Sequence, residues 1–377
     1  MKAGWSLRPL GEVCTLQRGF DLPTRDRVAG GYPLVSSSGI IDTHAAGPVI
    51  GPGVVTGRSG SIGNVFFIEN NFWPLNTVLY VKDFQGNTPK FVYHLLHQLD
   101  LKQFAGGTGV PTLNRNDVHV VKVLVPESST EQQRIVAILD EAFDGIATAK
   151  ANAEKNLQNA RALFESHLHA LFATGGEEWQ QKSFDQVVDA KCTLSYGIVQ
   201  PGEEVAGGLP IVRPTDLTTK VIRLSGLKRI HPKLADGYRR TLLRGGELLL
   251  CVRGSTGVVS VASAELSGGN VTRGIVPINF ADALLTQEFG YYLLSSGAFQ
   301  DQIREKTYGA ALMQINIRDL RNIKVAFPKL EEQRRISVRL DALAVKTQRL
   351  QSLYQQKLAA LDELKKSLLH EAFSGEL

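Results

Sequence analysis

The sequence predicts a mixed α/β chain in which two pseudo-symmetric α/β domains are separated by two long antiparallel coiled-coil helices. Three observations predict it. The chain contains an internal repeat; each copy ends in a long proline-free segment with heptad-like apolar spacing; and the stretches before these segments alternate short β-branched or aromatic runs with Gly, Pro and Asn breaks. At 377 residues the chain also exceeds one ordinary core.

The repeat is legible residue by residue. LNRNDVHVVKVLVP (113–126) matches INIRDLRNIKVAFP (315–328), pairing Asn114 with Asn316, Asp117 with Asp319 and Pro126 with Pro328. EQQRI (131–135) then matches EQRRI (332–336), and SHLHALFATG (166–175) matches SLLHEAFSG (367–375). Fainter echoes pair Trp5 and its following LGEV with Trp179 and FDQV, GGYPLV (30–35) with GGLPIV (207–212), and GRSGSIG (57–63) with VRGSTG (252–257). The organisation is a first globular domain over 1–127, a spacer helix over 128–175, a second globular domain over 176–328 and a second spacer helix over 329–377. In the domains, runs such as GVVTG, NVFFIE, ELLLCV and GVVSVA read as strands, with helices late in each copy around 89–99 and 286–296.

Each long segment follows a proline and an acidic turn (Glu131; Glu331 and Glu332), which suits the positive end of a helix dipole. A 4-3 spacing in the second helix runs through Ile336, Leu340, Leu343, Leu350, Leu361, Leu364 and Leu368. The matching seam of the first is richer in alanine and carries Ile135, Leu139, Ile146 and Leu163, with polar Asn156 and Lys357 at equivalent positions. An alanine-rich seam against a leucine-rich one predicts that the two helices pair antiparallel, each about 60 Å long at ~1.5 Å per residue.

Composition sets the outer bounds. No stretch reaches 18 uninterrupted apolar residues and the N-terminus lacks the apolar core of a secretory signal, so a cytoplasmic chain is expected. Three widely spaced cysteines, Cys14, Cys192 and Cys251, fit a reducing compartment and form no zinc-type pair. The net charge of +5 permits a nucleic-acid partner without requiring one. The motifs of catalysis are missing: no GxxxxGK[ST] phosphate loop, no Asn or Asp followed by two prolines and an aromatic as in adenine methyltransferases, no GxSxG nucleophile elbow. His94 with His97, and His167 with His169, lack the cysteines or carboxylates of a zinc site, so no metal ligands and no catalytic residues are assigned.

The W-x4-LGEV start, the LNRNDV…VLVP run followed by EQQRI and LD, and its second copy INIRDL…VAFP followed by EQRRI and LD, each leading into a long helix, resemble the specificity subunits of type I restriction–modification systems. The resemblance covers essentially the whole chain. It implies two target-recognition domains, each reading one half of a bipartite, asymmetric DNA site, and helices that set the gap and recruit two modification (methyltransferase) subunits. Restriction subunits that translocate and cleave DNA would join them. The chain itself would then be non-catalytic, directing adenine-N6 methylation. It would hold no cofactor, with S-adenosylmethionine, ATP and Mg in the partner subunits. A specificity subunit of a type IIB or other phage-defence methyltransferase system, and a coiled-coil protein adaptor, are the alternatives.

Sequence readout needs side chains that reach base edges, chiefly Arg to guanine and Asn or Gln to adenine, with phosphate contacts adding affinity. The DNA-binding candidates of the first domain are Arg18, Arg25, Arg27, Arg58, Ser59, Ser61 and Arg115. Those of the second are Lys191, Tyr196, Arg213, Arg239, Arg240, Arg253, Ser255, Thr256, Arg273 and Gln314. The loops around Arg58 and Arg253 are favoured, because both place Arg beside Gly and hydroxyl residues that permit close approach to DNA.

Overall fold

The computed structural model describes residues 3–106, 111–176, 178–192, 194–309 and 312–377. Packing divides the chain into two units, residues 1–156 with 354–377 and residues 157–353, so the division cuts each long helix near its middle.

In the first unit the strand Trp5–Pro9 pairs antiparallel with Lys122–Pro126, Trp5 opposite Pro126. The chain therefore enters and leaves this domain side by side. Between these strands lies an antiparallel four-stranded sheet in the order Thr15–Arg18, Val78–Asp83, Gly53–Gly57, Val65–Ile68. GVVTG is buried throughout because both faces of its strand are covered. Val54 faces a core that includes Phe91, Val92 and Leu95 of helix α1 (Pro89–Gln98), and Val55 faces a second core with Val35, Phe72 and Tyr80. A short helix α2 (Arg115–His119), capped by the Asn114 side chain on the Asn116 N–H, precedes the exit strand. The long helix α3 (Ser129–Thr174) follows it.

The second unit repeats the scheme. Gln180–Ser183 pairs antiparallel with Lys324–Phe327, Gln180 opposite Phe327, and leads into helix α4 (Phe184–Val187). Its four-stranded sheet runs Val221–Ile222, Val259–Ala262, Leu248–Cys251, Ile275–Ile278. Leu248 and Leu250 face one core while Leu249 and Cys251 face another, the same two-sided burial as in the first copy. Helices α5 (Gln287–Ser295), α6 (Gly297–Lys306) and α7 (Ile317–Arg321) complete the domain before the long helix α8 (Leu330–Ser374).

The long helices run antiparallel within each unit. In the first, the Arg134 guanidinium donates to the Leu377 carbonyl oxygen at 2.8 Å, Lys365 Nζ lies 4.8 Å from the Phe143 ring centre, and Lys150 pairs with Asp362 at 2.6 Å. Partners thus descend along α8 as they ascend along α3. In the second, Leu168 and Phe172 share a core with Ile336 and Leu340. Both helices stop at a glycine in the left-handed region, Gly175 (φ 50°) and Gly375 (φ 82°), where a side chain would be strained.

The strict heptad seam holds only in part. Ile135, Leu139, Ile146, Ile336 and Leu340 are buried, and Leu343, Leu361 and Leu368 are half-buried. Leu163, Leu350 and Leu364 are not on the seam: they are 50%, 39% and 47% exposed, and polar Asn156 and Lys357 face solvent too. The physical reason is drift. A straight helix turns every ~3.6 residues, so a 3.5-residue count walks off the contact face by about 20° per heptad. After a few turns the seam has passed to Leu168 and Phe172 on α3 and to Leu369, Ala372 and Phe373 on α8, all buried.

Each long helix is also tied to its domain by an aspartate. Asp140 of α3 accepts from Lys90 Nζ (2.5 Å) and from His94 Nε2 (2.9 Å), both on α1. Asp341 of α8 accepts from Lys220 Nζ (2.6 Å) and from the Tyr292 hydroxyl. Burial pushes the Asp140 carboxyl up, but the bonds from Lys90 and His94 outweigh it and hold it below the ordinary range. Burial in turn lowers His94 despite that carboxylate, which favours the neutral ring. His94 is thus a core histidine, and His97 one turn on is half-buried.

Candidate nucleic-acid interface

At one end of the first domain's four-stranded sheet lies a cleft of about 450 Å³, lined by Gln17, Arg18, Arg58, Leu79 and the segment Thr112–Arg115. It brings together three candidates distant in sequence, Arg18, Arg58 and Arg115. Arg18 sits at the end of its strand and Arg58 just past the end of Gly53–Gly57, and both strands flank Val78–Asp83. Arg18 is aimed by Asp21, which accepts from its Nη2 at 2.9 Å and from Asn76 Nδ2 at 2.5 Å. Those hydrogen bonds, Asn76 first, hold the Asp21 carboxyl below its usual range. The remaining Arg18 donors stay available for an acceptor in the cleft.

The second domain carries the equivalent cleft, about 320 Å³, lined by Tyr196, Val199, Val252, Arg253, Arg273, Tyr308 and the segment Gln314–Asn316. The equivalence is set by backbone hydrogen bonds. Leu113 N–H donates to Arg58 O at 2.8 Å as Ile315 N–H donates to Val252 O at 3.0 Å. Ser59 bridges Thr112 as Arg253 bridges Gln314. Phe20 N–H donates to Pro74 O as Ile198 N–H donates to Val271 O, both at 2.8 Å, which makes Arg18 and Tyr196 counterparts.

This register corrects the sequence match of the two arginine loops by one residue. Gly57–Gly63 superposes in hydrogen bonding on Cys251–Gly257, with Gly60 and Gly254 both in the left-handed region (φ 81° and 87°). Arg58 therefore stands where Val252 does, and Arg253 where Ser59 does. Matching by residue identity aligned the arginines, whereas the fold aligns the turn glycines whose φ the backbone requires. The two guanidinium groups enter their clefts from non-equivalent positions.

The other candidates have varied surroundings. Ser255 is exposed and Thr256 Oγ1 donates to Met313 O at 3.2 Å, so this pair belongs to the rim of the second cleft. Ser61 occupies the corresponding turn of the first copy, exposed like Ser255, with Ser59 half-buried nearby. The Tyr196 hydroxyl bridges Ile315 O (3.3 Å) and Ile317 N–H (3.2 Å), which fixes its ring at the cleft wall. Arg25 and Arg27 are outside the cleft lining, on the turn after the Thr15–Arg18 strand; Arg25 is paired with Asp26 and Arg27 contacts Leu22 O at 3.5 Å. Arg213 is engaged internally: its Nη2 and Nε reach the two oxygens of Asp216 at 2.8 and 3.1 Å, closing its own turn.

Lys191, Arg239 and Arg240 lie with Arg244 around a separate cavity of about 350 Å³ that also includes Asp189, Glu247 and Asp282. This cavity sits before the strand Leu248–Cys251 and the Arg253 cleft after it. Six residues of extended chain, about 20 Å, separate Glu247 from Arg253. Apart from Arg213, the second domain's basic candidates thus form two groups at opposite ends of one strand.

Asn114, Asn316, Gln17 and Tyr308 line the clefts but were not among the candidates. The asparagines were visible as matched positions of the repeat. Tyr308, adjacent to Gly309, carried only the weak signal of an aromatic beside a glycine. The Tyr308 hydroxyl donates to Asn316 Oδ1 at 2.5 Å, which orients that amide at the cleft floor. Among the described residues, no carboxylate pairs with Arg115, Arg253 or Arg273.

Comparison with known proteins places these features. The family described as Type I restriction modification DNA specificity domain matches residues 2–158 and again 176–358, once per copy of the repeat. The EcoBI type I restriction enzyme specificity subunit of Escherichia coli is 26% identical over 201 residues, 53% of this chain and 42% of that protein, so this alignment spans less than half of the relative. The EcoDI specificity subunit of the same organism is 22% identical over 323 residues, 76% of this chain and 70% of that protein. In fold, the chain is similar along its entire length to a chain from a type I R-M system (TM-score 0.77, 20% identity, 99% of that chain). It is also similar to the HsdS subunit from Thermoanaerobacter tengcongensis (TM-score 0.63, 20% identity, 98% of that chain). No described helix is long and apolar enough to cross a membrane.

Proposed function

The chain belongs to the type I restriction modification DNA specificity family, and from that premise we propose that it selects the DNA sequence on which a type I restriction–modification complex acts. Each domain reads one half of a bipartite, asymmetric site. The long helices recruit the modification subunits, which bring S-adenosylmethionine and methylate adenine at N6; restriction subunits using ATP and Mg join them. This chain performs no chemistry.

One observation carries the reading: the fold builds the same cleft twice and furnishes it differently. Arg18, Arg58, Arg115 and Asn114 line the first, a set suited to guanine-rich or mixed edges. Tyr196, Tyr308, Gln314 and Asn316 with Arg253 and Arg273 line the second, where amides suit adenine and aromatic rings suit stacking. Equivalent backbones with unlike side chains are what a reader of two different half-sites requires. A protein adaptor would have no need of guanidinium and amide groups at matched strand ends.

Methylome sequencing of a host carrying this chain with its modification partners tests the proposal. A bipartite motif with two dissimilar halves, absent without this chain, is expected. A methylation pattern indifferent to this chain, or a single undivided motif, would reject it.

A further inference from the structure

Beside the second cleft, two large apolar side chains face solvent on an anchored backbone. Tyr308 and Gln314 pair antiparallel through reciprocal backbone hydrogen bonds of 2.9 Å. Next to Gln314, the Met313 carbonyl accepts from Gly254 N–H at 2.8 Å and from Thr256 Oγ1 at 3.2 Å. The backbone is therefore fixed to the Arg253 loop, yet Leu312 is 45% and Met313 44% exposed. The Gly254 N–H bond sets Met313 next to the Arg253 loop, and Arg253 shares its cleft with Arg273, so the apolar pair stands at the edge of a basic cleft.

We propose that Leu312 and Met313 form a wedge that enters between two stacked base pairs of the second half-site, with Arg253 and Arg273 holding the adjacent backbone. This rests on the DNA-reading function proposed above. A duplex is charged along its backbone and polar at its base edges; apart from thymine methyls, its apolar surface is the faces of the bases. Displayed beside guanidinium groups, an apolar pair finds a complementary surface only where a step opens. Proteins that bend DNA insert Leu and Met in this way and regain the unstacking energy through added contact. The bracing of Met313 O keeps the wedge from folding back when it meets the stack.

The test uses the full chain assembled with its modification subunits, on duplexes carrying the methylome-defined site. 2-Aminopurine is placed in turn at positions of the second half-site and its flanks, omitting the methylated adenine. Wild type should raise fluorescence several-fold at one step, and L312A with M313A should remove that rise and weaken binding about tenfold, with the first half-site unaffected. A flat signal along the whole half-site, or a rise the double variant retains, overturns the wedge. Loss of thymine preference without a fluorescence change would place the pair on a thymine methyl, and failed assembly with the modification subunits would place it in a protein interface; either overturns it. If the wild-type complex shows no sequence-selective binding, the proposed function itself falls, and that is read before any variant is made.

Discussion

Gln132 and Gln333 occupy the same buried position in the two halves of the chain. Gln132 Oε1 accepts from the Thr88 N–H that precedes α1 (2.9 Å), and its Nε2 donates to Pro126 O (3.2 Å) and Asn87 Oδ1 (2.7 Å). Gln333 Oε1 accepts from Thr286 N–H before α5 (3.0 Å), and its Nε2 donates to Pro328 O (2.8 Å) and Leu284 O (2.8 Å). One amide thus joins the end of the exit strand, the first turn of the long helix and the start of a domain helix. This is the physical content of the EQxxI motif.

Replacing that amide should be costly. Gln132→Leu orphans the Thr88 N–H and the Pro126 carbonyl in a site where the glutamine is 3% exposed, at about 1–3 kcal/mol per buried group. Gln333→Leu should behave alike. Urea unfolding of the full chain checks both; an unchanged midpoint for either would show that water replaces the lost partners.

Drift of the helix seam predicts unequal leucines. Leu139→Ala should destabilise by about 2–5 kcal/mol, since the side chain is fully buried against the Phe373 core. Leu163→Ala, half in solvent, should change stability by no more than about 0.5 kcal/mol. Similar losses for the two would restore the strict heptad.

The clefts predict half-site-specific effects. Arg58→Ala should relax preference in one half of the motif and Arg253→Ala in the other, each by about 1–3 kcal/mol if the contact is bidentate to guanine. Methylome sequencing of each variant reads this directly. A uniform loss on all sequences would instead assign the residue to phosphate.

Acid sensitivity should come from the α1 histidines. Burial lowers His97 to about 4 and lowers His94 as well, so the unfolded chain binds these protons more readily than the folded one. Stability should therefore be full above the ordinary histidine value near 6.5 and decline as pH falls from there toward 4. His97→Gln should flatten the slope of melting temperature against pH in that window. Asp140, held below its ordinary value, contributes only to losses at still lower pH.

The sequence by itself determined the duplication, the positions of the two long helices and the loops at which basic residues gather. Those properties reside in local pattern: repeated motifs, apolar spacing, glycine beside arginine. Even the carriers of each cleft were largely legible, because Arg18, Arg58 and Arg253 fall at or just past strand ends, while Arg115, Tyr196 and Gln314 lie in the short segments around them. Three things waited for tertiary structure. Which leucines face the partner helix depends on accumulated helical twist, which a fixed count misses by Leu163 and Leu364. Which of two adjacent loop residues is equivalent depends on ladder hydrogen bonds, which moved Arg253 opposite Ser59. Which basic residues act together depends on strand ends brought near or kept apart, so that Arg253 and Arg273 share a cleft while Arg239 and Arg240 sit about 20 Å of strand away. Local sequence sets what each residue is able to bind; only the folded backbone sets what it binds beside.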